Sequence, residues 1–446
     1  GGDTNDKARR EANDAAGRAH DSGRTTSSAA SFPLAVGPDL TFNGVEDAFV
    51  ARVNAAGTAF DYCGYIGGSA ADSAWGIAVD AAGNACVAGQ TSSTEATFPV
   101  TVGPDLTHNG LMDGFVARVN PQGTGLIYCG YVGGSADDVC KGVAVDGSGS
   151  AFVAGWTAST EKTFPVKLGP DTTANGSLDA FVAKVAATGA GLDYCGFIGG
   201  VGVETAEGVA VDSFGDVFVA GRTDSDENTF PVTVGPDLTY NGSADIYLAK
   251  VSAPGTALAY CGYVGGMFVE LGGALAVDGA GNAYVGGRTT SPETTLPVKV
   301  GPDLTKNGPL GLDAFVAKVA HVRLEAVGAP RPGGLVSFTL TSTDDGGLPY
   351  ALGSSFGTGP IPIGTRKLGL AVDDLLVLTV NNQLPTIFVG YQGVIGVHGR
   401  AAAKINLPAL PALVGQRIHT PFVTVSPKAA LGIKSISKIG SAARSG

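Results

Sequence analysis

The sequence predicts an all-β fold, a β-propeller of about five four-stranded blades followed by a C-terminal β-sandwich domain. Two observations lead to this prediction: motifs that return every 66 residues, and four short apolar runs within each repeat. Fixed periods of this size are typical of modular arrays. A helical solenoid is excluded because no segment shows a sustained helical period.

Three motifs keep the 66-residue spacing. Gly-Pro-Asp begins at Gly37, Gly103, Gly169, Gly235 and Gly301. A cysteine followed by glycine recurs as Cys63, Cys129, Cys195 and Cys261. Ala-Val-Asp ends at Asp80, Asp146, Asp212 and Asp278, each close to a turn glycine, where a short acidic side chain binds its own backbone. Because the motifs recur in a fixed order, each repeat is one structural unit.

One repeat is read most clearly between residues 75 and 133. Residues 75–80 and 85–89 are apolar runs joined by Ala-Ala-Gly-Asn, which predicts a hairpin. Residues 90–112 contain two prolines, which cannot donate to a strand ladder, so this stretch is predicted as a long loop. Residues 113–119 and 126–132 supply the third and fourth strands. Four short antiparallel strands in tandem describe a propeller blade.

The array begins with an eroded copy of the hairpin. Residues 1–30 form a polar N-terminal segment, and residues 10–25 match the first hairpin of later repeats at 66-residue spacing. Their strand positions have become polar, and isolated buried charges cost several kcal/mol. We therefore expect this half-blade to be loose, or to be held by something outside the chain.

The propeller repeats are predicted to occupy residues 31–328. Residues 313–319 start the last third strand, and residues 321–327 are the candidate for its fourth. Beyond residue 328 the 66-residue spacing stops. Apolar runs separated by Pro and Gly then predict a C-terminal β-sandwich over residues 329–446.

The quoted motifs resemble the seven-bladed β-propeller repeat family usually called SBBP. Its Asp-Ala-Phe-Val-Ala-Lys segment is similar to residues 179–184, and its two following segments are similar to residues 194–200 and 208–221. The resemblance covers residues 10–328 but departs from the family in showing five repeats. It implies a propeller scaffold on a secreted or cell-surface bacterial protein and no particular chemistry.

Composition limits the classes of molecule that the chain is expected to bind. The formal net charge of −12 argues against nucleic acid and anionic membranes, because both bind basic surfaces. No run of 18 apolar residues exists, so no transmembrane segment is predicted. Four cysteines occupy equivalent positions and are interpreted as small buried hydrophobic residues. Cys86 and Cys140 depart from the spacing, and a Cys129–Cys140 disulfide stays open.

Few residues point to chemistry. The five histidines share no metal-binding spacing and are predicted on the surface or in loops. Acidic residues recur between blades, where they are solvated turns or, alternatively, ligands for Ca²⁺. These residues are Asp72, Asp137, Asp138, Glu204, Glu207 and Glu270.

Asn175 and Asn241 match the N-glycosylation pattern, although the same Asn-Gly turn recurs without the hydroxyl residue. We predict no catalytic, cofactor-binding or metal-binding residues.

Three functions remain open at this point. The first is a non-enzymatic extracellular structural protein, a subunit of a surface layer or filament that self-associates through its N-terminal segment. The second is an adhesive or glycan-binding propeller that recognises a surface glycan or protein with its loops. The third is an enzyme such as a polysaccharide lyase or hydrolase, which needs a base or a carboxylate pair in a cleft. The sequence favours the first and predicts no enzyme.

Overall fold

The structure is a computed structural model that describes residues 1–298, 300–308 and 311–320, together with the backbone of strands between residues 322 and 443. The chain divides into two units. The first unit comprises Gly1–Thr233, Asp237–Gly279 and Tyr284–Ala317, and the second comprises Val234–Pro236, Ala280–Ala283 and Lys318–Gly446. The described residues form strands and turns and contain no helix.

Four consecutive four-stranded antiparallel sheets and a fifth, three-stranded sheet repeat along the chain. Blade 1 contains β1 (Asp6–Asn13), β2 (Ala19–Thr25), β3 (Asp47–Val53) and β4 (Phe60–Ile66). Blade 2 contains β5 (Asp72–Val79), β6 (Ala85–Thr91), β7 (Asp113–Val119) and β8 (Leu126–Val132). Blade 3 contains β9 (Asp138–Val145), β10 (Ala151–Thr157), β11 (Asp179–Val185) and β12 (Leu192–Ile198). Blade 4 contains β13 (Glu204–Val211), β14 (Val217–Thr223), β15 (Asp245–Val251) and β16 (Leu258–Val264). Blade 5 contains β17 (Glu270–Val277), β18 (Ala283–Thr289) and β19 (Asp313–Val319). The all-β propeller prediction is confirmed.

The first strand of each blade is its innermost strand. β1 packs against β5, and the contact repeats between β5 and β9, between β9 and β13, and between β13 and β17. Glycines allow this close approach: a Cβ at Gly76 would lie 3.1 Å from Gly142 Cα, and one at Gly208 would lie 2.3 Å from the Gly273 carbonyl oxygen. Successive first strands therefore meet around a common axis.

Each innermost strand of blades 1 to 4 carries a β-bulge at the same position. In blade 3, Gly155 pairs with Cys140 and Ala154 pairs with Gly142, so Lys141 is the extra residue. The same irregularity leaves Arg9, Trp75 and Glu207 extra in the other three blades. A bulge re-aims the side chain of its extra residue, and bulges are frequent beside functional sites.

The cores of blades 1 to 4 repeat one aromatic cluster. In blade 2, the ring centroid of Phe98 lies 5.2 Å from that of Phe115 and 5.5 Å from that of Tyr131. The Tyr131 hydroxyl donates to the Ser93 carbonyl at 3.0 Å, which satisfies its polar end. Aromatic pairs in such offset geometries add about 1 kcal/mol beyond their burial. The cluster ties the long loop that contains Phe98 to the strands beneath it.

All six cysteines are buried free thiols, which confirms their interpretation as core residues. Cys129 and Cys140 are not bonded to each other. Burial raises the pKa of the Cys86 thiol to about 11 and that of Cys63 to about 12. Because the thiolate is the reactive form, these residues are chemically inert in the folded chain.

The polar N-terminal segment completes the first blade within its own chain, contrary to the expectation of a loose or externally held half-blade. β2 pairs with β3 over six residues from His20 to Thr25, and β1 pairs with β2. The charged side chains of Lys7, Arg10 and Glu11 are exposed, so the expected cost of burying them does not arise. The polar strands therefore pair through their backbones while these charges stay in solvent.

The predicted fourth strand of the fifth blade is wrong. β20 (Val322–Val327) pairs along its length with β21 (Leu335–Ser342), and the fifth sheet has three strands. The further strands of the second unit are β22 (Pro349–Leu352), β23 (Pro362–Ile363), β24 (Arg366–Lys367), β25 (Tyr391–Val394), β26 (Arg400–Asn406), β27 (Arg417–Ile418), β28 (Pro421–Val425), β29 (Ile433–Lys438) and β30 (Ala442–Ala443). β21 pairs with β26, and β22 lies between β25 and β28. How these sheets pack, and hence the predicted sandwich, lies outside the described residues.

Substitution of the glycine that lies opposite a bulge tests this architecture. A Cβ at Gly155 would lie 1.8 Å from the Val139 carbonyl oxygen, whereas one at Gly147 would meet nothing within 4 Å. We expect Gly155→Ala to lower the free energy of unfolding by about 3 kcal/mol, because backbone must move to admit the methyl group. Urea unfolding of both variants measures this. An equal effect of Gly147→Ala would contradict the account.

Candidate functional site

The recurring turn aspartates hold their own turns, as the sequence predicts, and also bind a cation from the third strand. Asp80 Oδ1 accepts from the Ala82 and Asn84 backbone amides, both at 2.9 Å. Its Oδ2 is paired with Arg118 of β7. In blade 4 the Lys250 ammonium lies 3.1 Å from Asp212 Oδ2. These ion pairs brace the blades and are not available to a ligand.

His20 is buried, so its predicted surface or loop position is wrong. Its Nδ1 lies 3.0 Å from the Tyr62 hydroxyl, and its Nε2 lies 3.3 Å from Asp14 Oδ2. Burial lowers the pKa of the His20 imidazole. The equivalent positions carry Cys86, Phe152 and Phe218, so His20 fills a core site where its ring nitrogens find polar partners. The His108 ring meets the Tyr131 ring edge-on, with ring centroids 5.6 Å apart. His321, His398 and His419 lie outside the described residues.

Four of the six acidic residues assigned to inter-blade turns begin innermost strands and are fully buried. Asp72 accepts from the Gly68 amide at 2.7 Å, from the Ser93 hydroxyl at 3.0 Å and from the Thr91 hydroxyl. The corresponding carboxylates are Asp6, Asp138, Glu204 and Glu270. Asp6, Glu204 and Glu270 accept from the equivalent glycine and threonine, and Asp138 accepts from the Gly134 amide and the Ser159 hydroxyl. We call these five sites the carboxylate networks. Solvated turns are therefore a wrong interpretation for Asp72, Asp138, Glu204 and Glu270.

The carboxylate networks leave little for a calcium ion to bind, because their oxygens already accept protein donors. The described part of the chain contains no group of three His, Cys, Asp or Glu side chains placed to hold a metal. Asp137 and Glu207 are half-buried and lie outside these networks. Glu207 belongs instead to the axial site described below.

A second carboxyl lies beside the network at each blade junction. These residues begin the third strands, are buried, and have raised pKa values. Burial raises the pKa of Asp113 to about 6, and the charge of Asp105 adds to this. Burial and the charge of Glu270 raise the pKa of Asp245 to about 7. Burial likewise raises the pKa of Asp47 to about 7 and that of Asp179 to about 6. We call Asp47, Asp113, Asp179 and Asp245 the junction carboxyls. In the carboxylate networks, burial raises the pKa of Asp72 and Asp138 to about 6.

The four bulge residues form one contiguous group on the axis, which we call the axial ring: Arg9, Trp75, Lys141 and Glu207. The Arg9 guanidinium carbon lies 3.8 Å from the centroid of the Trp75 ring, and the Lys141 ammonium lies 3.3 Å from it. Cation–π contacts of this kind are worth about 1 kcal/mol or more. Burial lowers the pKa of Lys141, while the charge of Glu207 opposes that shift. Neighbouring blades thus place Arg9, Trp75 and Lys141 in contact, with the charge of Glu207 acting on Lys141.

The axial ring opens into a cavity at blades 4 and 5. Gly273 occupies the bulge position of the fifth blade, so no side chain fills the space there. A cavity of about 810 Å³ results, and its walls include Arg10, Glu207, Arg222 and Arg288. Arg10 donates to the Glu207 carbonyl at 3.2 Å, which joins the first blade to the fourth. Arg222 is held by a two-pronged pair with Asp224, both contacts at 2.8 Å.

The sequence did not reveal this site. The bulge positions keep the 66-residue spacing, but they differ in every blade and lie inside otherwise repeated apolar strands. The signal in the sequence was one position that changes from repeat to repeat while its neighbours stay nearly the same. Recognising it requires the strand register, because only the pairing shows that these residues are extra.

Comparison with known proteins supports the repeat. Residues 127–161 match the family model described as the SBBP β-propeller repeat. This stretch is an SBBP β-propeller repeat. The match begins in the fourth strand of blade 2 and continues through β9 and β10, so the family repeat is offset from the structural blade. No curated protein matches this chain. Among the described residues, no helix has the length and hydropathy needed to cross a membrane.

The junction carboxyls predict a pH dependence of stability. Their pKa values rise from about 3.8 to about 6 or 7 on folding, so the folded state binds more protons between these values. Stability should therefore fall as the pH rises from about 4 to about 7. We expect Asp113→Asn, which stays neutral, to reduce this loss.

Thermal unfolding at pH 5 and pH 7.5 measures the effect. Asp137→Asn is the control, because Asp137 is half-buried beside the same junction and belongs to no carboxylate network. An identical change in the unfolding midpoint of Asp113→Asn and the unaltered chain would show that this carboxyl is not the cause.

Proposed function

We propose that this SBBP repeat protein is a non-enzymatic, extracellular binding module whose recognition site is the axial ring and its cavity. The observation that carries the proposal is the concentration of blade-to-blade differences at one place. The networks, turns and aromatic clusters repeat from blade to blade, whereas the ring changes from Arg9 to Trp75, Lys141 and Glu207. Folding of the blades does not require a different side chain at this position in each blade, whereas recognition of a ligand does.

The cavity has dimensions suited to a ligand. Its volume of about 810 Å³ lies within the range of about 300–1,000 Å³ that is usual for small-molecule sites. Cations, a carboxylate and the Thr205 hydroxyl converge on it, so both donors and acceptors are available. This combination suits a polar ligand such as a glycan.

Two observations support the non-enzymatic part of the proposal. The His20 pair with Asp14, the clearest acid–base group among the described residues, is buried within blade 1. The junction carboxyls are likewise buried. A general base must reach the proton that it removes, which a group buried in the core does not do. The extracellular location rests on the family resemblance alone.

A second function, assembly into a surface layer or filament, is favoured by a different observation. Val316 in the last described blade is 75% exposed, whereas the equivalent Val50, Val116, Val182 and Leu248 are fully buried. We infer that the fifth blade offers an apolar face to a second copy of the chain. The N-terminal segment is a weaker candidate for the contact, because its strands already pair with β3.

The binding proposal predicts that a side chain at Gly286 blocks recognition. A Cβ there would lie 3.5 Å from Ala274 Cβ, an ordinary contact, so Gly286→Leu should fill the cavity without strain. We expect ligands found on glycan and protein arrays to be lost in this variant. Gly279→Leu is the control, because a Cβ at Gly279 meets nothing within 4 Å. Ligands that still bind Gly286→Leu would place recognition in the loops.

The assembly proposal predicts that Val316→Lys abolishes self-association, because the added charge faces the proposed contact. Multi-angle light scattering over a range of protein concentrations measures the mass. Leu111→Lys is the matched control, since Leu111 is 76% exposed in a loop of blade 2. Monomers of the unaltered chain at all concentrations would exclude this function.

A further inference from the structure

The basic residues of this acidic chain are unevenly distributed. Although the net charge is −12, the innermost two strands place Arg9, Arg10, Lys141, Arg222 and Arg288 near the axis. Fields from like charges add within a cleft and raise the local concentration of counter-ions. The cavity therefore attracts anions locally, although the rest of this acidic surface repels them.

Most of these cations are already engaged, and the engagement identifies the one available to a ligand. Arg222 is paired with Asp224, Arg9 and Lys141 each lie over the Trp75 ring, and Arg10 donates to the Glu207 carbonyl. Arg288 is exposed at the cavity wall and forms no ion pair within the described part of the chain. Its guanidinium is therefore the cation that is free to meet an incoming acid.

The glycines of the fifth blade provide access to Arg288. Gly272 and Gly273 have φ values of 124° and 131°, in a region where side chains are strained, so this wall stays bare. Gly286 and Gly287 lie in the neighbouring strand of the same sheet, directly before Arg288, and a Cβ at Gly272 would lie 2.9 Å from Gly287 Cα. An anion can therefore approach the arginine over a surface of bare backbone.

Glu207 and Thr205 specify the rest of the ligand. A carboxylate and a hydroxyl in the same cavity accept hydrogen bonds from hydroxyl groups. A simple anion has no such donors and would be repelled by Glu207. A ligand that carries one carboxylate and several neighbouring hydroxyls can pair with Arg288 and also donate to Glu207 and Thr205. A planar guanidinium binds a carboxylate through two parallel hydrogen bonds.

Building on the proposed binding function, we propose that the cavity binds an acidic sugar, a uronate unit of a polysaccharide, with Arg288 pairing its carboxylate and Glu207 and Thr205 accepting from its hydroxyls. Arg288 is the specificity-determining residue, and the axial ring forms the neighbouring surface. Neutral sugars of the same size lack the group that Arg288 recognises.

Isothermal titration calorimetry with trigalacturonate, and with neutral galactotriose as the comparison ligand, tests the proposal on the full chain. We expect trigalacturonate to bind more tightly than galactotriose and to weaken as salt is added. Arg288→Gln should weaken it at least about tenfold, because a charge-assisted hydrogen bond is lost. Arg288→Lys should give an intermediate affinity, since the charge stays but the two-pronged geometry does not.

Lys162→Gln is the control, because it removes the same charge from an exposed loop position of blade 3. Unchanged affinity in Arg288→Gln, equal binding of galactotriose, or no binding of trigalacturonate would each overturn the assignment. Circular dichroism confirms that each variant is folded. If Gly286→Leu still blocks another ligand from the arrays, the ligand class is wrong and the binding function stands. If Gly286→Leu blocks nothing, the binding function fails as well.

Discussion

The buried carboxylate at the start of each innermost strand is the interaction on which the propeller depends. Asp72 and its counterparts join the turn before the strand, through a glycine amide, to the end of the second strand, through a threonine hydroxyl. Removing a carboxylate from water costs several kcal/mol unless donors replace the water. The network supplies them, and it tolerates Asp or Glu because both reach the same partners. With the first residue of each innermost strand fixed in this way, these strands pack together at their glycines. The bulges then fall at the same position in blades 1 to 4.

The repeat and its strands were predictable from sequence because they depend on local patterns. Apolar runs, turn glycines and constant spacing are all visible within about 60 residues, and residues 113–119 are a strand in the structure as predicted. The networks were missed because their members, such as Asp72, Thr91 and Ser93, are adjacent only after the hairpin forms. His20 was misplaced for a similar reason, since Tyr62 and Asp14 make its burial acceptable. The axial ring depends on register between strands, which hydrophobic periodicity does not specify.

The two ends of the described array are chemically different. The first blade exposes Lys7, Arg10 and Glu11 on its innermost strand, whereas the fifth blade exposes Val316 and other apolar residues. Arg10 donates to the Glu207 carbonyl of blade 4, so the polar strand β1 takes part in the contacts around the axis. The proposed self-association rests on the apolar residues of the fifth blade and not on the first hairpin.

A bulge residue contributes no rung to the ladder between the first and second strands. Its replacement therefore leaves the pairing, the packing glycines and the carboxylate network intact, and the structural cost of changing it is small. Blades 1 to 4 have used this freedom to hold Arg, Trp, Lys and Glu at one geometric position. If the axial ring is the recognition site that we propose, a few single-codon changes there would alter the preferred ligand while the protein folds as before.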